Sequence, residues 1–260
     1  MICKICTSPV TSIGTALVLQ KHQVEYFRCA HCGFIQTEKP YWLSEAYSET
    51  IARSDIGLIG RNMKVANITA VMISAFFDSK SRFLDYGGGN GMFVRLMRDK
   101  SFDFFWQDRY TVNQFSRGFE SKDSEDYHLV TAFEVFEHLE DPLSEIQKML
   151  LYSDNILFST TLVPTRYPSP GNWWYYTLDT GQHIALYSEE SLKEIAKKFN
   201  LCLYSNGRSF HLLTKKKVPG LLFFLFSIGP IASFFWSFFS IGKKSLLERD
   251  YSQITGTKLK

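Results

Sequence analysis

The chain has 260 residues, of which 45% are hydrophobic and 21% charged; these are globular proportions and exclude global disorder and collagen-like repeats. Its length suits one large α/β domain with a small appendage, or two modest domains. A formal charge of +3, from 29 basic and 26 acidic side chains, is too balanced to point to nucleic acid or to an acidic partner.

Four of the five cysteines fall in two C-x-x-C pairs, Cys3/Cys6 and Cys29/Cys32, separated by 22 residues. Each pair can sit on a tight turn, and two such turns complete a tetrahedral Zn²⁺ site. The residues between them alternate like strands (Ala16–Leu19, then Val24–Phe27), the hairpin of a zinc ribbon. Four thiolates leave no open position, so the expected role is structural, with the metal contributing folding energy. Cysteines used this way belong to a reducing compartment. The N-terminus lacks a basic region followed by an apolar stretch, and a cytoplasmic location is expected. Cys202 falls in an apolar run and is expected to be buried.

Residues 38–80 begin with Pro40-Tyr41-Trp42 and continue as helix. From Leu58 to Phe77 the apolar positions recur at helical spacing. Short apolar runs alternating with helical stretches then predict a parallel sheet with crossover helices. Strands are expected at Arg82–Tyr86, Phe104–Gln107, Tyr127–Phe133 and Asn155–Thr161. Asn206-Gly207, between the apolar runs 201–205 and 208–214, predicts a closing hairpin. Residues 221–241 are dominated by Leu, Ile and Phe and hold no charge, with lysines on both sides. Their length could span a bilayer, but Gly229-Pro230 would kink or divide such a helix. Two core or interface helices, a monotopic anchor and a span all fit that pattern, so contact with a membrane surface through 218–242 and a location peripheral to the membrane stay open.

The run Phe83-Leu84-Asp85-Tyr86-Gly87-Gly88-Gly89-Asn90-Gly91 places an acid at a strand end and a glycine turn before a helix. Such glycines permit close approach of a ligand to the backbone. The acid-x-G-x-G-x-G spacing resembles motif I of the class I S-adenosylmethionine-dependent methyltransferases. Two further elements follow in order. Phe104-Phe105-Trp106-Gln107-Asp108 ends a strand in an acid, and Phe133-Glu134-Val135-Phe136-Glu137-His138 leads into Asp141-Pro142. The resemblance covers residues 81–214 and implies a seven-stranded Rossmann-like α/β sheet closed by an antiparallel hairpin. It also implies S-adenosylmethionine held by Asp85, Gly87, Gly89, Asn90, Gly91, Asp108, Phe133 and Glu134, with Asp108 on the ribose hydroxyls. No third strand can be placed between Asp108 and Tyr127, where Phe119-Glu120 is the only remnant.

The acceptor segment is expected at 162–187. Trp173, Trp174, Tyr175 and Tyr176 would stack on sugar faces or on a flat aromatic acceptor, and Gln182 would hydrogen-bond it. His183 is the expected general base, because imidazole suits proton removal near neutrality; His138 is its competitor. Tyr47, Asp55, Arg61 and Asn62 precede the core and could reach the site. The domains expected are a zinc-ribbon-like module (1–37), a helical linker (38–80), the methyltransferase core (81–214) and an apolar helical tail (215–260). A zinc module ahead of such a core is similar to bacterial sugar and polysaccharide-pathway methyltransferases, which implies a small-molecule or glycan acceptor and no nucleic acid. An RNA methyltransferase gripping nucleic acid with the zinc ribbon is the alternative.

Overall fold

The computed structural model describes residues 1–47, 56–122 and 125–259. In chain order the elements are β1 (Val10–Val18), β2 (His22–Cys29), β3 (Ile35–Thr37), α1 (Leu43–Ala46), α2 (Leu58–Phe76), β4 (Arg82–Tyr86), α3 (Met92–Asp99), β5 (Asp103–Gln107), β6 (Leu129–Phe133), α4 (Pro142–Leu150), β7 (Asn155–Ser159), β8 (Ala185–Leu186), α5 (Glu189–Lys198), β9 (Cys202–Ser205), β10 (Phe210–Thr214), α6 (Gly220–Phe226), α7 (Gly229–Phe239) and α8 (Leu247–Thr255). A six-stranded sheet has the order β5-β4-β6-β7-β10-β9. β4 pairs in parallel with both β5 and β6, and β9 with β10 is antiparallel. The fold is α/β as expected, but six strands form where seven were anticipated. The missing strand is reduced to one parallel bridge, Glu120 to Trp106. The preceding residues are polar, and Gly118 takes φ +88°, which turns the chain instead of extending it.

The chain divides into two compact units, each assembled from separated segments. The first comprises Met1–Ser54, Phe133–Lys148 and Phe158–Lys215. Its own antiparallel sheet has the order β1-β2-β3-β8. The cysteine-bearing hairpin is therefore not a separate module ending at residue 37. A hairpin and one three-residue strand bury little on their own. Here β8 completes the sheet, and Tyr26, Ile35 and Trp42 share a core with Tyr175, Tyr176 and Ile184. Gly181 permits this closeness: at φ +66°, its Cα faces Val18 at a distance where an added Cβ would lie 2.6 Å from Cγ1. The hairpin of β9 and β10 closes through Asn206, whose side-chain oxygen accepts from the amides of Arg208, Ser209 and Phe210. Cys202, expected to be buried, is exposed on β9, the sheet's outermost strand.

The second unit comprises Asp55–Ala132, Met149–Leu157 and Lys216–Lys260. The apolar tail belongs to it and is not a separate domain. Phe226 packs on Phe76 of α2 with centroids 5.9 Å apart, and Asn67 donates to Ser233. α6 and α7 meet at a 97° bend just before Gly229-Pro230, and among the described residues no single helix is long and apolar enough to cross a membrane. The polar residues beyond form α8, which the sequence did not announce. Its Asp250 is buried and accepts from Arg98 of α3 through both oxygens, at 2.7 and 2.8 Å. Arg98 is itself buried, bonds Asp103 and the Phe104 carbonyl, and lies 3.6 Å from the Phe119 ring centroid.

Candidate active site

The glycine turn joins β4 to α3 in the second unit. Gly87, Gly89 and Gly91 all have positive φ, a region that costs other residues energy. A Cβ on Gly91 would strike the side chains of Asn113 and Ser116. At Gly89 it would meet nothing within 4 Å. Gly89 thus leaves open space beside bare backbone, the form of cradle a cofactor needs. Asn90 braces the turn, its carbonyl accepting from the amides of Gln114 and Phe115. Trp106, not singled out by sequence, donates its indole N–H to the Gly89 carbonyl at 2.8 Å.

The two acids act differently from the expectation. Asp108 accepts from the Gly89 amide (2.9 Å) with one oxygen and from the amides of Tyr110 and Thr111 (2.7 and 2.9 Å) with the other. Three backbone bonds occupy most of the lone pairs of a carboxylate, so in this arrangement Asp108 staples the loop and is not free to take both hydroxyls of a diol. Asp85 is buried beneath the loop and accepts from the Thr131 hydroxyl at 2.7 Å. Burial pushes its carboxyl up to about 7, with Thr131 opposing and the charge of Asp108 adding to the rise.

In the first unit β6 runs out at Phe133, which stacks on Phe210. Glu134 then adopts φ +55°, a strained conformation for a side chain of this size. The Ser159 hydroxyl pins it twice, accepting from its amide and donating to its Oε1, at 2.9 and 2.7 Å. One helical turn later come Glu137 and His138. The Glu137 carbonyl accepts from the Ile184 amide at 2.9 Å, and this bond brings His183 beside His138, ring centroids 5.0 Å apart. The Nδ1 of His138 lies 3.1 Å from the Gln182 carbonyl and 3.0 Å from the Tyr47 hydroxyl; that of His183 lies 2.8 Å from the Tyr175 carbonyl. A carbonyl can only accept, so each Nδ1 carries the proton and each Nε2 keeps its lone pair. Burial pushes both imidazoles down, to about 4 for His138 and about 3 for His183, the neighbouring His138 contributing to the latter. Glu137 is fully buried, and burial first, then the charge of Glu134, raises its carboxyl to about 8. Sequence reading left Glu137 outside the primary site residues; its signal was a carboxylate two residues past a buried strand's turn.

The aromatic segment is mostly core. Tyr175 and Tyr176 are 2% and 1% exposed and pack among Tyr26, Trp42 and Ile184, so neither offers a face to a ligand. Trp173 packs against both, at 5.3 and 5.8 Å between centroids. The Gln182 side chain donates to the Ala46 carbonyl and serves the backbone. Trp174 alone of the five is exposed, at 71%. Of the residues expected from the N-terminal side, Tyr47 reaches His138. Arg61 and Asn62 lie on α2 in the second unit, and Asp55 lies outside the described residues.

Cys3, Cys6, Cys29 and Cys32 converge. Their sulfurs lie within 4.8 Å of one another, with close pairs at 3.4 to 3.6 Å. The Ile5 amide points at Cys3 and the Cys32 amide at Cys29. The hydrogen bond from Cys32 is the first of several that hold the Cys3 thiol down, against burial, to about 5. Four soft donors so placed fit Zn²⁺.

A family model described as a methyltransferase domain matches residues 60–206, more than half of the 260. No curated protein matches the sequence. Among solved structures, an O-methyltransferase family 2 protein of Planctomyces limnophilus, solved with apigenin, is 14% identical with a TM-score of 0.44, covering 66% of each chain. An O-methyltransferase family protein of Burkholderia thailandensis is 11% identical with a TM-score of 0.45, covering 68% of each. CalO1, a methyltransferase in calicheamicin biosynthesis in its SAH-bound form, is 14% identical with a TM-score of 0.42, over 68% of this chain and 60% of that one. The matches to the first and the last take in under two thirds of those proteins' own length. By the family match and the glycine turn that falls within it, the chain belongs to the methyltransferase-domain family and is an S-adenosylmethionine-dependent methyltransferase.

Proposed function

We propose that the protein methylates a hydroxyl of a small acceptor, a sugar or glycan-pathway intermediate, and that zinc on Cys3, Cys6, Cys29 and Cys32 supports its fold. The observation that carries the reading is the open glycine turn at Gly89, where an added Cβ would meet nothing within 4 Å. S-adenosylmethionine, held at the turn of Gly87, Gly89 and Gly91, supplies an already activated sulfonium methyl. The chain's own work is then orientation and proton removal. Trp106 and Asp108 fix the loop, and Asp85 supports it from below. His183 stays neutral, its tautomer set by the Tyr175 carbonyl, so Nε2 can accept the acceptor's proton. His138 is held likewise by Gln182. Phe133 and Glu134 would contribute to the cofactor's pocket. Trp174 offers an exposed indole face on which the apolar side of a sugar ring stacks.

The test incubates the purified protein with labelled S-adenosylmethionine and a panel of nucleotide sugars, reading mass. A product heavier by one methyl group supports the reading. Tight cofactor binding with no transfer to any sugar, but transfer to a flat phenolic acceptor, would replace the acceptor class.

A further inference from the structure

Glu137 has no exposed surface, and among the described residues no hydrogen bond of good geometry reaches either of its carboxyl oxygens, although the hydroxyls of Tyr175 and Thr160 lie near enough to lower its pKa partly against burial. The nearby hydroxyls of Tyr175 and Thr160 are engaged with each other, and the Thr161 amide donates to Tyr175. A buried carboxylate left this way is costly, and native proteins supply such groups with a donor or a cation. Glu137, His138 and His183 each bring one ligand atom to a common point, all within 4.8 Å of one another. Both imidazoles commit Nδ1–H to backbone carbonyls, which aims two neutral Nε2 lone pairs away from the backbone. Metal-ligating histidines are oriented in this manner. One carboxylate and two imidazoles form a donor set that suits first-row divalent cations and leaves coordination positions open. The set is chemically distinct from the four thiolates and contains no sulfur.

We propose that Glu137, His138 and His183 form a second metal site, for a divalent cation of the Mn²⁺ type, with open positions for an oxygen ligand. The Glu134 charge beside Glu137 adds to the attraction. A cation here would hold an acceptor hydroxyl and lower its pKa, and His183 would then serve methyl transfer as a ligand, replacing the base role given to its Nε2 above. The inference uses the residues of the methyl-transfer reading but does not depend on that reaction.

The experiment titrates the zinc-replete full chain with Mn²⁺ alone, without cofactor or acceptor, following the free Mn²⁺ signal by electron paramagnetic resonance. About one Mn²⁺ per chain is expected in the wild type. Glu137→Gln and His183→Asn should each weaken binding by more than about 100-fold, the upper range for loss of a mere supporting contact. The variants' zinc content and melting curves report whether they fold. Independently of any variant, Mn²⁺ should broaden the ring resonances of His138 and His183 in the wild-type protein while leaving exposed His31 sharp. No Mn²⁺ bound at millimolar concentration, undiminished binding in both folded variants, or sharp His138 and His183 signals at saturation would each overturn the site. Methyl transfer is measured separately, so failure of one reading leaves the other standing.

Discussion

Asp85 sits where a carboxylate gains least, enclosed beneath the glycine turn with the Thr131 hydroxyl as its partner. Its folded pKa of about 7 lies above the ordinary value of about 3.9. The folded state therefore holds the proton more firmly than the unfolded one. That contribution is complete below about pH 4 and is lost as pH rises through about 7. Asp85→Asn should flatten this decline and raise the melting temperature at pH 8 relative to wild type; equal pH profiles by calorimetry would refute it. His183→Ala should lower kcat by roughly 10²–10⁴-fold with cofactor affinity unchanged. Because burial holds His183 near 3, kcat should show no break at the ordinary imidazole value of about 6.5; a break there in the wild-type profile would contradict the burial. The glycines, the cysteines and both histidines were legible as residues, because their chemistry is tied to spacing. The partners of Asp108, Tyr175, Tyr176 and Gln182 were not, because aromatic and polar side chains read alike whether they face a ligand or a neighbour.

β8 is only Ala185–Leu186, yet it pairs with β3 and so joins the cysteine hairpin to the segment that carries His183. The Thr37 amide donates to Ile184, whose own amide donates to Glu137. The Ser188 hydroxyl caps α5 and also donates to the Cys32 carbonyl. Zinc loss should accordingly lower kcat as well as stability. Chelation, or Cys3→Ser, is expected to release about one zinc per chain and depress methyl transfer while leaving cofactor affinity near its original value. Retention of full kcat after complete zinc removal would sever the proposed link. At the other end, Asp250→Ala would leave Arg98 buried without its main partner, a change that typically costs about 3–5 kcal/mol. Thermal unfolding measures it; a shift no larger than that of a surface substitution would refute the pairing's importance. Sequence reading missed this pair because the two residues are 152 positions apart and α8 looked like a polar tail.

At the scale of the molecule, the sheet, its closing hairpin and the divided apolar helices were readable from periodicity and from Asn-Gly and Gly-Pro punctuation. The domain borders were not. Contiguous borders at 37, 80 and 214 follow changes in composition, whereas each compact unit gathers three separated stretches of chain. What decides membership is which apolar faces meet, and that is a long-range property. The Arg98–Asp250 pair carries this into the ribosome's time frame. Translation at about 5–20 residues per second separates the two residues by roughly 8–30 s. Throughout that interval α3 can form, but its guanidinium must stay hydrated, because no carboxylate of α8 yet exists to accompany it inward. The unit that bears the glycine turn thus closes only once α8 has emerged, and nascent chains stalled before residue 250 should remain sensitive to protease around α3.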